Sequence, residues 1–447
     1  MKITHLQSAA VIIEHNGIKI LCDPWLVDGE YYGSWALYPP FEFNTEDFDD
    51  IDYIYITHIH PDHFSKITLA RLNKQIPVII LNFPEKFLKK NIESLGFRVL
   101  EINNDIRTHL KNGLYITILA ADYCNPELCS KFFGCAPIET KFGATSIDTI
   151  AVIDNEKEVI VNTNDCPIEL SKFSILKIKN QFNKIDMLLV GYGGAGPYPQ
   201  CFEMSKEEKK KAAEKKKIQF LSQAEMFVNL LKPEFFMPFA GRYTLAGPLH
   251  RLNDSRGLPE LEESYEYFHK SSNINSSEQK CIIINSKESF DITTKQLSKP
   301  YTRINTDEKN QYIKDVLSKR KYDFYDDDEP SDDELISLIP KAFERFEYKR
   351  KQIGFHSDTV IIIQISEETA CIITCNDNSY KVVLSKEIKQ KNKYVKISTD
   401  KKFLKRLLLG PKFAHWNNAE IGSHLQFERE PNIHERGLYH SLSFFHI

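Results

Sequence analysis

The sequence predicts an α/β protein in which two β-sheets face one another and helices cover their outer sides. Three observations carry that expectation. Over residues 1–245, short apolar runs alternate with helical patterns. The earliest runs follow one another through tight turns such as His15-Asn16-Gly17, a strong hairpin signal. Helical patterns enter only later, whereas a doubly wound parallel sheet would need them between strands from the start.

Taken in order, strands are expected at residues 10–13, 18–22, 51–56, 78–81, 98–102, 115–119, 150–153, 159–162, 187–190 and 235–238, each an apolar run bounded by polar or turn residues. Helices are expected at 65–73, 85–95, 168–173 and 205–231. The last begins with KEEKKKAAEKKK at 206–217, where acidic and basic residues interleave. That mixture suits the solvated start of a long helix better than an anion-binding arm. These elements form a core over 1–250. A loop-rich extension and acidic linker occupy 251–334, where Ser331 and Glu334 form a capping signal. A smaller α+β unit fills 335–447, with a helix at 335–345, strands at 360–365, 370–374 and 381–384, and a helix at 401–409.

The length of 447 residues fits two or three domains. With 42% hydrophobic and 27% charged residues the composition is that of a soluble globular protein. A net charge of -4 supplies no global basic field for nucleic acid, so no nucleic-acid partner is expected. No apolar run reaches bilayer-spanning length and the N-terminal segment lacks leader-like features, so no membrane partner is expected. Nine cysteines, scattered and odd in number, fit reduced thiols and a cytoplasmic location. Cys371 and Cys375 lie in an apolar run and read as core rather than as a metal pair.

The chemistry concentrates at Thr57-His58-Ile59-His60-Pro61-Asp62-His63, directly after an apolar strand. Alternate residues of an extended chain point to one side, so His58 and His60 can face one ion. Asp62 and His63 follow where the chain turns and can serve a second. Imidazole with carboxylate suits zinc, iron or manganese. Asp23 ends an earlier strand and can fix the tautomer of a ligand imidazole, although Asp-Pro also starts turns. Asp165 ends a later strand and can bridge two cations.

His-x-His-x-Asp-His after a strand, with strand-ending aspartates on either side, resembles the metallo-β-lactamase superfamily. That resemblance implies an αββα sandwich with one or two metals between the sheets. Asp23-Pro24-Trp25-Leu26, Ser34 to Pro40, Asn162 to Cys166, Gly193 to Pro199 and Pro238 to Gly241 are in addition similar to the catalytic part of the cytidine monophosphate N-acetylneuraminic acid hydroxylases. The Rieske domain of those hydroxylases needs Cys-x-His and Cys-x2-His pairs, and no cysteine here precedes a histidine by two or three residues. The third-motif histidine has no counterpart between residues 63 and 165 other than His109. Glu127, with Asp122 behind it, best matches the hydroxylase-like pattern as a ligand in its place. His250 is the nearest candidate for the late histidine, against its reading as a surface-loop residue.

The resemblance implies two divalent ions (zinc or iron, with manganese as a further option) on His58, His60, Asp62, His63, Glu127 and Asp165, with Asp62, Asp165 and His250 in catalysis. It implies an anionic sugar or nucleotide sugar as substrate, which Trp35 could stack on, the amides at Gly194 cradle and Arg242 pair; sealing the core, a tight turn and a surface arginine are the competing readings for those three. Two activities are expected from the same ligands: metal-assisted hydrolysis, or oxygenation at a di-iron site supplied by a separate ferredoxin or reductase. A non-catalytic metal-binding protein is the third.

Overall fold

A computed structural model describes residues 1–121, 148–388 and 392–447. Two sheets form its N-terminal body. The first has eight strands in the order Gln296–Leu297, Ser289–Asp291, Lys2–Gln7, Ala10–His15, Ile18–Cys22, Tyr53–Tyr55, Val78–Leu81, Val99–Ile102. The second has seven, in the order Lys280–Cys281, Phe235–Phe239, Met187–Gly191, Val159–Asn164, Thr149–Asp154, Tyr115–Ala120, Thr108–His109.

Side-chain parity explains why the strands read as continuous apolar runs. Tyr53 and Tyr55 enter the layer between the sheets, while Ile54 and Ile56 face the helices Lys66–Arg71 and Phe87–Ser94 outside. Ile20 and Cys22 point inward and Leu21 outward. In the second sheet Ala151, Ile153, Ile160 and Leu189 point inward. Val152, Val161, Leu188 and Val190 meet the helices Ile168–Gln181, Lys206–Leu231 and Leu261–Lys270. A strand covered on both faces has no solvent side to mark with polar residues. The layers are thus helix, sheet, sheet, helix: the αββα sandwich expected from the sequence, with an added C-terminal α+β unit.

Differences lie at elements with little sequence signal. The strand Lys2–Gln7 pairs antiparallel with Ala10–His15 and was not expected, because His5 and Gln7 interrupt its apolar pattern. The helix at 168 runs on to Gln181 through a polar segment. Residues 251–300 do not form a separate extension: Lys280–Cys281 joins the second sheet, and Ser289–Asp291 and Gln296–Leu297 join the first. These two- and three-residue strands add to sheet edges and are too short to show periodicity.

The C-terminal unit is a five-stranded sheet, Ser379–Leu384, Thr369–Thr374, Val360–Gln364, Tyr394–Ser398, Gln426–Glu430, backed by the helices Asp332–Gln352, Lys401–Leu409 and Arg436–Leu442. It is joined to the sandwich by backbone. Phe427 N donates to Cys201 O at 2.9 Å and Glu203 N donates to Phe427 O at 2.8 Å. The acidic segment before it straps onto a basic helix: Arg406 pairs with Asp327, Lys401 with Asp332 and Lys405 with Glu334. Among the described residues no helix is long and apolar enough to cross a membrane.

Candidate metal centre

The parallel strands Ile18–Cys22 and Tyr53–Tyr55 end side by side, and both continue into chemistry-bearing residues. Asp23 follows the first with φ 41°, its amide donating to Tyr55 O at 2.9 Å. Thr57 and His58 follow the second. The chain then turns tightly, with His63 N and Phe64 N donating to His60 O at 3.0 and 2.7 Å. Ser65 caps the next helix by accepting from Thr68 N. That turn folds His63 back beside His58, with ring centroids 4.2 Å apart.

Asp23 is fully buried and holds three groups. Its Oδ1 accepts from Thr57 N at 2.8 Å, and its Oδ2 accepts from Thr57 Oγ1 and His63 Nδ1, both at 2.8 Å. These bonds dictate tautomers. A carboxylate only accepts, so His63 donates from Nδ1 and turns Nε2 into the site. Thr57 spends its hydroxyl proton on Asp23. Its oxygen must therefore accept from His58 Nδ1 at 2.9 Å, which leaves the His58 Nε2 lone pair aimed inward.

Opposite stands the second sheet. Asn164 adopts φ 38°, a left-handed turn that asparagine tolerates, and points Asp165 at the histidines. Asp165 Oδ2 lies 3.2 Å from His63 Nε2, and Asp62 Oδ2 lies 3.5 Å from the same atom. Tyr31 donates its phenol proton to Asp62 Oδ1. His58 Nε2 sits 2.9 Å from His60 Nδ1 and 3.6 Å from Asp148 Oδ1. Two groups of potential ligand atoms lie within 4.8 Å of one another: His58, His63 and Asp165, and His58, His60 and Asp148. His58, His60, Asp62, His63 and Asp165 therefore converge. Asp148, which the sequence did not single out, joins them by opening the strand Thr149–Asp154. Its one signal is positional: it starts an apolar run just as Asp165 closes the next.

The electrostatics follow from burial and from charges crowded together. Burial, reinforced by His63 and His60, holds the His58 imidazole well below the usual histidine range and keeps it neutral. Burial opposes charge on His63 too, but Asp165, Asp62 and Asp23 overcome it and hold its pKa well above that range. Burial pushes Asp62 up, with Asp165 adding to the rise, while His63 and His60 outweigh burial at Asp165 and pull it down. The protein alone thus balances its carboxylates with a proton on His63. Asp165 Oδ1 is nevertheless buried without a hydrogen-bond partner, and His63 Nε2 faces only the carboxylates of Asp62 and Asp165. An ion between these groups would satisfy them. Facing imidazoles and carboxylates in a dry pocket fit a divalent ion.

The remaining candidates lie elsewhere. His250 is on the 3-10 turn Gly247–Ser255, with Nδ1 2.9 Å from Gly247 O, and is not one of the converging ligand atoms. Trp35 is buried and stacks on Tyr243 at 3.6 Å and 4°, so its ring faces are used within the protein. Gly194 packs under Phe220, where a Cβ would come within 2.5 Å, so close packing accounts for the glycine. Arg242 donates to Tyr38 O and lines a separate cleft. Glu127 and Asp122 lie outside the described residues. Sequence reasoning also missed the wall supplied by the C-terminal unit. Asn417, on the helix Trp416–Ile421, hydrogen-bonds His60 and favours its charged form against burial, and His424 Nε2 donates to Tyr31 O at 2.8 Å.

Residues 2–124 match the beta-lactamase superfamily domain. The chain is 28% identical over 270 residues to a putative Rieske 2Fe-2S iron-sulfur protein of Mycolicibacterium smegmatis, covering 58% of this chain and 47% of that protein. It is 24% identical over 265 residues to the cytidine monophosphate-N-acetylneuraminic acid hydroxylase of Danio rerio, covering 56% of this chain and 39% of that one. The match thus spans about half, or less, of these curated relatives. Among solved structures it is similar to the isothiocyanate hydrolase from Delia radicum gut bacteria, with a TM-score of 0.44, 17% identity, and 65% of this chain and 99% of that chain covered. Residues 2–124 thus carry a beta-lactamase superfamily domain, set in an αββα sandwich of two facing sheets with a cluster of potential ligands at their rim and an added C-terminal α+β unit.

Proposed function

We propose that the protein is a metal-dependent hydrolase with a one- or two-metal site, acting on an anionic sugar, a nucleotide-activated sugar or a related phosphoester. The observation that carries this reading is the convergence of two sets of potential ligand atoms, His58 with His63 and Asp165 and His58 with His60 and Asp148, each within 4.8 Å of one another. His58, His60 and Asp148 would hold one ion, and His63, Asp62 and Asp165 the other. When bound, the ions lower the pKa of a coordinated water toward neutrality and polarise the bond under attack. The chain's own residues supply orientation and proton handling. Asp23 and Thr57 fix both ligand tautomers. Tyr31 locks one oxygen of Asp62 and leaves the other facing the site, where it would hold the ion shared with His63 and Asp165. The Tyr31–Trp35–Tyr243 ring column excludes bulk solvent from that side.

A second reading is favoured by the sequence relatives: a di-iron monooxygenase of a nucleotide sugar, fed by a separate ferredoxin or reductase. Three imidazoles with three carboxylates suit iron as well as zinc. Metal analysis of protein purified anaerobically, combined with turnover assays on sugar phosphates and nucleotide sugars, separates the two. Stoichiometric zinc, with hydrolysis restored by zinc alone after chelation, is expected. Two irons per chain with turnover that requires both dioxygen and reductant would overturn the hydrolase reading. Either reading demands that His58→Ala and Asp165→Ala lose metal and activity together.

A further inference from the structure

Beyond the ring column lies a second polar feature, a small cleft of about 10 Å3 walled by Tyr38, Arg242, Tyr243, Arg256, Glu260 and Lys309. Three cations and one carboxylate meet there. Lys309 pairs with Glu260 at 2.5 Å. Arg242 donates to the carbonyl of Tyr38, and Arg256 to the carbonyls of Tyr243 and Asn253 and to the Tyr243 side chain. Neither guanidinium has a carboxylate partner among the described residues, although Arg256 is only 7% exposed. Taking a guanidinium out of water without a counter-charge is costly, and proteins accept that cost chiefly where an anion binds. All three cations act on Glu260 and hold its carboxyl below the usual range despite burial. Glu260 therefore feels a positive field that it does not cancel.

We propose that this cleft is an oxyanion site that takes a phosphate group. The uncompensated charge of two guanidiniums matches a dianion better than a monoanionic carboxylate, and each planar donor fork can hold two oxygens of a phosphate. The site is separate from the metal centre. Arg256 lies 4.8 Å over the Tyr243 ring, which stacks on Trp35, and Trp35 packs on Tyr31, the partner of Asp62. A phosphate held there thus sits one aromatic column away from the ligand cluster. The assignment does not depend on which reaction the metals perform.

Calorimetric titration of the full chain with inorganic phosphate, inorganic diphosphate and acetate tests it. Saturable one-to-one binding of the two phosphates is expected, with acetate weaker. Arg242→Gln and Lys309→Met should each weaken phosphate at least about tenfold, the size of losing one charge-assisted hydrogen bond. His58→Ala, which dismantles the metal centre, should leave phosphate affinity within about twofold. Lys309 is on a surface helix, so its variant remains informative if Arg242→Gln lowers the melting temperature. The proposal is overturned if phosphate shows no saturable binding, if acetate binds equally well, or if both cleft variants bind like the parent. Loss in His58→Ala alone would place the phosphate on the metals instead and also overturn it.

Discussion

Asp23 shows how much of the candidate metal centre rests on a residue outside the converging ligand atoms. Its two oxygens accept three hydrogen bonds, set the tautomer of His63 directly and that of His58 through Thr57. Asp23→Ala leaves Thr57 N, Thr57 Oγ1 and His63 Nδ1 without their acceptor in a fully buried place. Zinc affinity should fall about 10–100-fold in a competitive chelator titration. An unchanged affinity would show that packing alone orients the imidazoles. At this scale the sequence was legible where the converging residues are neighbours in the chain: His58, His60, Asp62 and His63 declare themselves by spacing. Asp148 and Tyr31 do not. Asp148 reaches the cluster because Thr149 Oγ1 donates to Thr57 O at 3.0 Å across the two sheets, and no local pattern encodes that contact.

Secondary-structure elements were readable where one interaction dominates and obscure where two compete. The strand Ile18–Cys22 and the helix Lys401–Leu409 carry their own apolar pattern and occur where expected. The helix Lys206–Leu231 starts at a reciprocal capping box between Ser205 and Glu208, with Ala213, Leu221, Ala224, Phe227 and Val228 buried further along. The charge run before those residues is its solvated first half. Ser205→Ala should cost about 1 kcal/mol in a urea titration and leave metal affinity unchanged. The glycine segments are subtler. Gly193 and Gly241 face one another: a Cβ on Gly241, where φ is 84°, would lie 2.7 Å from Gly193 Cα. Two loops that end strands of the second sheet can approach this closely only without side chains. Gly241→Ala should therefore destabilise by about 2–4 kcal/mol, since left-handed strain adds to overpacking. A loss below about 0.5 kcal/mol by the same titration would refute the close-approach account.

At the scale of the whole molecule, the C-terminal unit packs against the candidate metal centre, a placement that no local sequence pattern announces. His424 marks the seam. It is 7% exposed, packs among Tyr32, Tyr322, Phe324 and Phe403, and donates from Nε2 to Tyr31 O at 2.8 Å. Burial lowers its pKa to about 4 from the ordinary 6.5. Between those two values the unfolded chain takes up a proton that the folded chain refuses. The stabilisation is complete above pH 6.5, declines as the pH falls, and is gone below about 4. At about 1.4 kcal/mol per unit, this one residue contributes roughly 3 kcal/mol to acid lability. His5 and His415, also held neutral by burial, act in the same direction. Urea titrations with excess chelator, which removes metal release from the comparison, should show stability falling steeply from pH 6.5 to 4. His424→Gln keeps an amide donor for Tyr31 O and cannot become charged, so it should flatten that slope by close to one proton. The seam should also open before the sandwich does, with hydrogen exchange at the helix Trp416–Ile421 rising at pH 5 in the parent and less in the variant. If the two chains show the same pH dependence, protonation of His424 does not control the seam.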